Sequence, residues 1–319
     1  MSAKITIKEI PNEIDDHLLD IIGNEFKFDH VKGMAEWLKN SVDAYRRNDV
    51  RQDEQHVIFR FTDQGVTLPL VECMDFVGMT KVDIEKSFKR WGDPNAAKRG
   101  NKSGKKVYGG HGNGGKFYMR QMFKESCFIT YKNGILNIFG FSDKRKYGFA
   151  EDYHEKKMSP KQALEFAEIS SVVPNDLKKK IIAGEIGFTV VRGVAPEDVK
   201  GKFKVPKEIE RFKNHPQSRR IILRAKVAII HNKHTLYPHL RPDEIEPLEN
   251  FKEPRIIEVP ERLTVRSGDE KVTVEMANKK YPPGKLILRT SSEAMTRGTA
   301  LGELNRVDIL GEIGVIGSY

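Results

Sequence analysis

Residues 108–117 read YGGHGNGGKF and hold five glycines and one lysine. The interior of a helix or strand is a poor host for that density of glycine, because each one loses more backbone freedom on ordering than any other residue. The segment has to be a turn or a loop, and whatever folds on either side must be arranged around it. Glycine amides also let an anion come close, and a helix starting directly afterwards adds the positive end of its dipole. Phosphate binding is therefore chemically open, as is an ordinary flexible turn. The segment satisfies G-x-x-x-x-G-K from Gly110 to Lys116, and also G-x-G-x-x-G through Gly110, Gly112 and Gly115. A P-loop needs Ser or Thr after its lysine to hold magnesium, and Phe117 stands there. A dinucleotide fingerprint needs a strand immediately upstream. The upstream residues are instead AAKRGNKSGKKV, which reads as a basic loop.

Context from the rest of the chain decides between these readings. FDHVKGMAEWLKNSVDAYRR predicts a helix in which Val31, Met34, Leu38, Val42 and Tyr45 form one apolar stripe. Glu36, Asn40 and Asp43 recur on the other side at the same spacing, and taken alone they would be a solvated face. DDHLLDIIGNEF predicts a shorter helix before it. HVIFRFTDQGVTLPLVECMDF predicts a β-hairpin turning at TDQG, with Asp75 at a strand end and Gly78, Met79 and Thr80 following. VDIEKSFKRW reads as helical, and a helix over KFYMRQMF follows the glycine segment. SCFITYKNGILNIFGF is a second hairpin turning at Asn133-Gly134. A polar, helical region over 152–183 leads into a buried strand in GEIGFTVVRG that carries Thr189.

In that order, three segments resemble the GHKL ATPases, the superfamily of gyrase, the heat-shock chaperone ATPase, MutL and histidine kinases. EWLKNSVDAY matches the family's E-x-x-x-N-x-x-D-A box, GGHGNGGKFYMR resembles the second glycine box of the MORC-like branch, and GFTVV resembles the Gly-Thr strand near the end of the fold. The resemblance covers about residues 15–195. It implies an α+β fold, the Bergerat two-layer α/β sandwich, and a site for ATP with Mg2+. Glu36 then stands where the family keeps its general base, and Asn40 where it ligates magnesium. Asp43 and Ala44 complete that box beside the nucleotide. Asp75 matches the carboxylate that accepts from the adenine amino group, Thr189 supports it, and Gly78 and Met79 belong to the same box. Gly109, Gly110, His111, Gly112, Asn113, Gly114, Gly115 and Lys116 would close the lid over the phosphates, with the basic stretch before them as the lid itself. The match departs in one place. The family's D-x-G-x-G-M is here DFVGM, one residue shorter, so the turn after Asp75 is tighter or the adenine contact differs. Asp63, in TDQG, is the alternative carboxylate, although a hairpin turn suits it better.

Composition narrows the function classes. Fifty-five basic against 45 acidic residues give a net charge of +10, which favours polyanionic partners. Cys73 and Cys127 each lie in an apolar run, as expected of buried thiols in a reducing compartment and not of a disulfide framework. No apolar run reaches the ~20 residues that span a bilayer, and the first residues lack a signal-peptide core. A cytoplasmic protein without membrane association is expected. His215, His231, His234 and His239 share no ligand spacing with acidic residues or cysteine, and no phospho-acceptor helix precedes the ATPase region. The expectation is an ATP-dependent homodimeric clamp on nucleic acid. Its rivals are a chaperone-like protein-remodelling ATPase and an ATP sensor without turnover.

After residue 200 the match fades. VPKEIERFKNHPQSRR predicts a short helix and turn, and IILRAKVAIIHNKHTLYP a hairpin turning at HNKH. RIIEVPERLTV, EKVTVEM and KLILRTS are strand candidates. The division expected is an ATP-binding domain over 1–200 and a β-rich, transducer-like domain over 201–319, with Lys202, Lys204 or Lys226 as the lysine that reaches the γ-phosphate. The apolar ending RVDILGEIGVIGSY suggests the first part of a longer chain.

Overall fold

A computed structural model describes residues 7–10, 30–88, 114–196, 204–223, 225–237, 245–275, 284–296, 308–310 and 315–318. The helix expected near residue 20, the basic loop, Lys202, His239 and the glycine segment up to Asn113 lie outside the described residues. The described helices are α1 His30–Arg47, α2 Lys81–Phe88, α3 Gly114–Met122, α4 Pro160–Phe166, α5 Asn175–Ile182, α6 Val205–Asn214 and α7 Pro216–Ile222. None is long and apolar enough to cross a membrane. The strands of the main sheet are β1 Lys8–Glu9, β2 His56–Thr62, β3 Leu70–Asp75, β4 Glu125–Lys132, β5 Ile135–Phe141, β6 Tyr147–Phe149, β7 Lys156–Lys157, β8 Phe188–Val194, β9 Lys226–His231 and β10 His234–Tyr237.

These ten strands form one mixed sheet in the order β1-β6-β5-β4-β8-β3-β2-β9-β10, with β7 beside β5. The architecture is therefore α+β. All three hairpins form as the sequence predicts. At the tip of β4–β5, Lys132 pairs with Ile135 across Asn133 and Gly134, both at positive φ (51° and 77°), the two-residue turn that an Asn-Gly pair favours. β2 and β3 pair antiparallel, whereas β9 joins β2 in parallel, with Phe59 opposite Ile229.

Side-chain alternation assigns the two faces. Phe59, opposite Cys73, packs at a tilt against Phe212 of α6, and Cys73 Sγ lies 3.4 Å from Ser41 Oγ of α1. Ser126 of β4 donates to the Met119 carbonyl of α3. Helices α1, α3 and α6 thus cover one face. Opposite them, Arg60 and Arg192 donate to the carbonyls of Glu168 and Ala167, just after α4. The second face thus meets the segment after α4 at those two guanidinium groups.

The chain separates into two compact units, Met1–His239 with Val307–Tyr319, and Leu240–Arg306. This differs from a division at residue 200. Strand β9 completes the sheet of the first unit, so α6, α7, β9, β10, Lys204 and Lys226 all belong there. The second unit contains strands β11 Arg255–Glu258, β12 Arg262–Ser267, β13 Glu270–Glu275 and β14 Lys285–Leu288, paired as two antiparallel ribbons, β11 with β14 and β12 with β13. It is β-rich, as expected. Strands β15 Asp308–Leu310 and β16 Val315–Ser318 pair with each other.

Candidate functional site

Helix α1 is far more enclosed than a surface helix. Val31, Met34, Trp37, Leu38, Val42 and Tyr45 are buried as predicted, and so are Ser41 and Asp43 on the polar side. Only Asn40 of the three expected polar residues is exposed; Glu36 is half-buried and paired with Lys39 one turn on. Ala44 is half-buried, and its carbonyl accepts from Asn48 Nδ2 at 2.9 Å. The polar stripe is therefore not a plain solvated face, since part of it turns inward.

Two glycines explain how α3 approaches α1. A Cβ on Gly33 would meet Met122 and Tyr118 at 3.0 Å, and a Cβ on Gly115 would lie 2.5 Å from Asn40 Nδ2 and 4.0 Å from Trp37 Cδ1. The start of α1 therefore faces the end of α3, and the helices run antiparallel in close contact. This brings the amino end of α3, the positive end of its dipole, against Asn40. Gly114 opens α3, and Lys116 is buried in its first turn. The indole of Trp37 is buried there too, stacked on Phe123 at 5.1 Å, and its Nε1 has no partner among the described residues.

The residue after Asn40 reaches the other half of the site. Ser41 hydrogen-bonds Asp75, the last residue of β3. Asp75 is buried, and its Oδ1 accepts the Val77 N–H at 3.2 Å, closing a tight turn. Gly78 follows at φ +72°, and a Cβ there would collide with the Tyr131 carbonyl. Gly187, immediately before β8, packs into the same spot, where its own Cβ would meet Tyr131 O and lie 3.3 Å from Gly78 Cα. The shortened box is thus a tight turn in which one glycine supplies the left-handed residue. Tyr45 anchors it by accepting the Phe76 N–H at 2.8 Å and donating to the His56 carbonyl at 2.6 Å.

Register then places a polar row across four strands on the helix-covered face. Asp75 pairs with Thr189, Thr189 with Thr130, and Thr130 with Asn137. All four are buried. Thr130 Oγ1 accepts the Met79 N–H at 2.7 Å and lies 3.1 Å from Thr189 Oγ1, which ties Met79 to the row. Burial pushes the Asp75 carboxyl up to about 7, although hydrogen bonds from Val77 and Ser41 and the charge of Lys132 pull the other way. Such a carboxylate would be relieved by an additional donor, the service an amino group on a ligand provides. Asp63 is occupied elsewhere. It accepts from His231 Nε2 at 3.0 Å and Asn232 Nδ2 at 2.8 Å, joining the β2–β3 turn to the β9–β10 turn.

Of the residues singled out from sequence, Asn40 in the middle of α1 meets Gly115 in the first turn of α3, and Asp75, Gly78, Met79 and Thr189 gather beside the next residue, Ser41. Gly109, Gly110, His111, Gly112 and Asn113 lie outside the described residues. Ser41, Thr130 and Gly187 had not been singled out, and Tyr45 only as part of the apolar stripe. Gly187 carried a signal, since it sits beside Thr189 in GFT, but Thr130 and Tyr45 become visible only through strand register and packing.

No family model matches the chain, and no curated protein matches it. Among solved structures, the N-terminal domain of a DNA repair protein is similar over 84% of this chain and 70% of that chain, with a TM-score of 0.42 and 14% sequence identity. A likeness at that level carries no argument about activity.

Proposed function

We propose that the first unit is a magnesium-dependent ATP-binding and hydrolysing module of the GHKL type, working as an ATP-gated dimeric clamp on nucleic acid. One observation carries this reading: consecutive residues of α1, Asn40 and Ser41, address the amino end of the glycine helix and the buried Asp75 respectively. A nucleotide laid along α1 would meet phosphate-binding chemistry at one end and a base-reading carboxylate at the other. Asn40 offers a single neutral oxygen at an exposed position, which fits Mg2+ held jointly with phosphates and water and does not fit a cage built by protein alone. Bound there, magnesium would neutralise phosphate charge. The amides at the start of α3 would orient the phosphates. Glu36, one turn before Asn40, would accept a proton from the attacking water, positioning and charge doing most of the work in phosphoryl transfer. The second unit would act as transducer. Nucleic acid is the favoured partner because residues 240–306 hold twelve basic and twelve acidic residues, so the whole net charge of +10 belongs to the nucleotide-binding unit.

The test is steady-state ATP hydrolysis by wild type and Glu36→Ala, with and without duplex DNA at low salt, beside ATP binding by both. Turnover should fall by roughly 10²–10⁴ in the variant while binding persists, and DNA should change the wild-type rate. Absence of ATP binding by wild type would sink the proposal. A second reading, a sensor that binds ATP without turning it over, is favoured by the pairing of Glu36 with Lys39. Tight binding with no turnover under any condition would select it.

A further inference from the structure

Five exposed lysines, none of them part of the proposed nucleotide site, gather at the end of the main sheet marked by the Asn133-Gly134 turn. Lys156 and Lys157 form β7, which pairs with the start of β5 at Leu136 and Ile135. The next residue, Met158, donates its N–H to the Gly134 carbonyl at 3.0 Å, and its own carbonyl accepts from Tyr131 Oη at 3.1 Å. This fixes the start of α4, and with it Lys161, beside the turn. Helix α5 returns to the same end. The Lys180 carbonyl accepts the Glu185 N–H at 3.0 Å, and Gly187, two residues further on, lies against the Tyr131 carbonyl. Lys179 and Lys180, in the last turn of α5, complete the group. None of the five ammonium groups is ion-paired among the described residues.

The acids of these segments are drawn to the opposite end. Glu165 stands in the last turn of α4, and the Glu168 carboxylate lies 3.6 Å from Arg192 Nη2. Arg192 is four residues into β8, roughly 13 Å along the strand from its start. Asp176 opens α5. Beside the lysines stand Glu185 and Glu155, and Glu155 is bound to Lys81. Helix dipoles do not account for the separation. A dipole favours acids in the first turn and bases in the last. Helix α5 follows that rule, but α4 inverts it, with Lys161 in its first turn and Glu165 in its last. What the two helices share is the end at which their lysines stand.

We propose that this end of the first unit is a docking surface for the phosphate backbone of duplex nucleic acid. The inference rests on the reading of nucleic acid as the partner and assigns the face that meets it. Lysine meets phosphate as a flexible point charge, and phosphate contacts fix position without reading sequence. A membrane surface would ask for an apolar face under the charges, and a single strand for aromatic platforms on which bases stack. Over residues 155–187, Ile182 is the one large apolar side chain exposed, and no Phe, Tyr or Trp is.

Fluorescence anisotropy of labelled duplex DNA across a salt series tests this with wild type and two variants. The first replaces Lys156, Lys161, Lys179 and Lys180 by Gln; the control replaces four lysines exposed elsewhere, Lys144, Lys207, Lys233 and Lys252, and so loses the same charge. In the first variant the slope of log K against log salt should fall by at least about 2, at ~0.9 per phosphate contact, with binding about hundredfold weaker near 0.1 M salt. Equal losses in the two variants, or no loss in either, overturn the assignment. So does loss of binding to vesicles of anionic phospholipid while duplex binding is kept, which would give the face to a membrane. Should the first variant fail to fold, acetylation of wild type with and without the duplex, read by mass spectrometry, carries the test. Protection of the five lysines is expected, and unchanged labelling overturns the proposal. Wild type that binds no duplex at low salt refutes nucleic acid as the partner, an outcome distinct from the others.

Discussion

Two polar rows cross the same sheet on opposite faces, three residues apart on β3 and β8, the strands that carry both. On the face under α4, Glu72 stands between Arg60 and Arg192, accepting from Arg60 Nε at 2.5 Å and Arg192 Nε at 2.8 Å, and both guanidinium groups also reach carbonyls. Burial alone would raise the Glu72 carboxyl, but the charges and hydrogen bonds of Arg192 and Arg60 outweigh it and hold it below the ordinary glutamate range. On the face under α1, Asp75 heads a row of hydroxyls and an amide, and burial leaves its carboxyl raised. The first row is closed, because Arg192 Nη2 also lies 3.6 Å from the Glu168 carboxylate, so that two carboxylates face two guanidinium groups. The second is open, a buried acid whose donors do not offset its desolvation. Buried charges that proteins keep without full compensation concentrate at functional sites, which is why the open row, and not the closed one, is the proposed site.

The largest effect should come from breaking the closed row. Glu72→Ala strands the buried Arg192 and the half-buried Arg60 and should cost about 3–5 kcal/mol, read as a lower denaturation midpoint in urea. The open row should respond with the opposite sign. The folded Asp75 titrates near 7 and the unfolded residue near its ordinary value, so the folded state binds the extra proton between them. Its destabilising contribution is absent in acid, grows as pH rises from about 4 to 7, and is complete above that. Asp75→Asn should therefore match wild type at pH 4 and exceed it at pH 8, by at most about 4 kcal/mol for a shift of this size. Equal stabilities at both pH values would remove the distinction between the rows.

A smaller effect on stability, with a large one on function, is expected at the glycine helix. Gly115→Ala meets only the amide end of Asn40, which can swing aside, so its stability should change by less than about 1 kcal/mol. ATP binding should nonetheless weaken about tenfold or more, because the displaced amide is the proposed magnesium ligand. Trp37, whose ring lies against the same glycine, provides an intrinsic fluorescence signal for that titration.

Much of the fold was legible in the sequence because its signals are local. The helix at Val31–Tyr45, the hairpin at Asn133-Gly134 and the strand carrying Thr189 each announce themselves by periodicity or turn chemistry. The boundary near residue 200 was not legible, because β9 joins the first sheet through parallel pairing with β2, a partner about 170 residues away. No local pattern encodes that choice. Asp43 illustrates the limit for side chains, since helical spacing puts it with Glu36 and Asn40 while packing buries it. Asp75 and Gly78 stand in a tight turn at the end of β3, with Gly78 at positive φ, in line with a strand end followed by a glycine in the sequence. Thr130 is one hydroxyl in an ordinary strand sequence, and only register against Thr189 gives it meaning.

The most direct test of the account is calorimetric titration of ATP with Mg2+ into wild type and Asp75→Asn under identical conditions at pH 8. The account predicts that wild type binds ATP and that the variant, although more stable, binds at least about tenfold more weakly. ATP binding that is absent from wild type, or undiminished in Asp75→Asn, would contradict it.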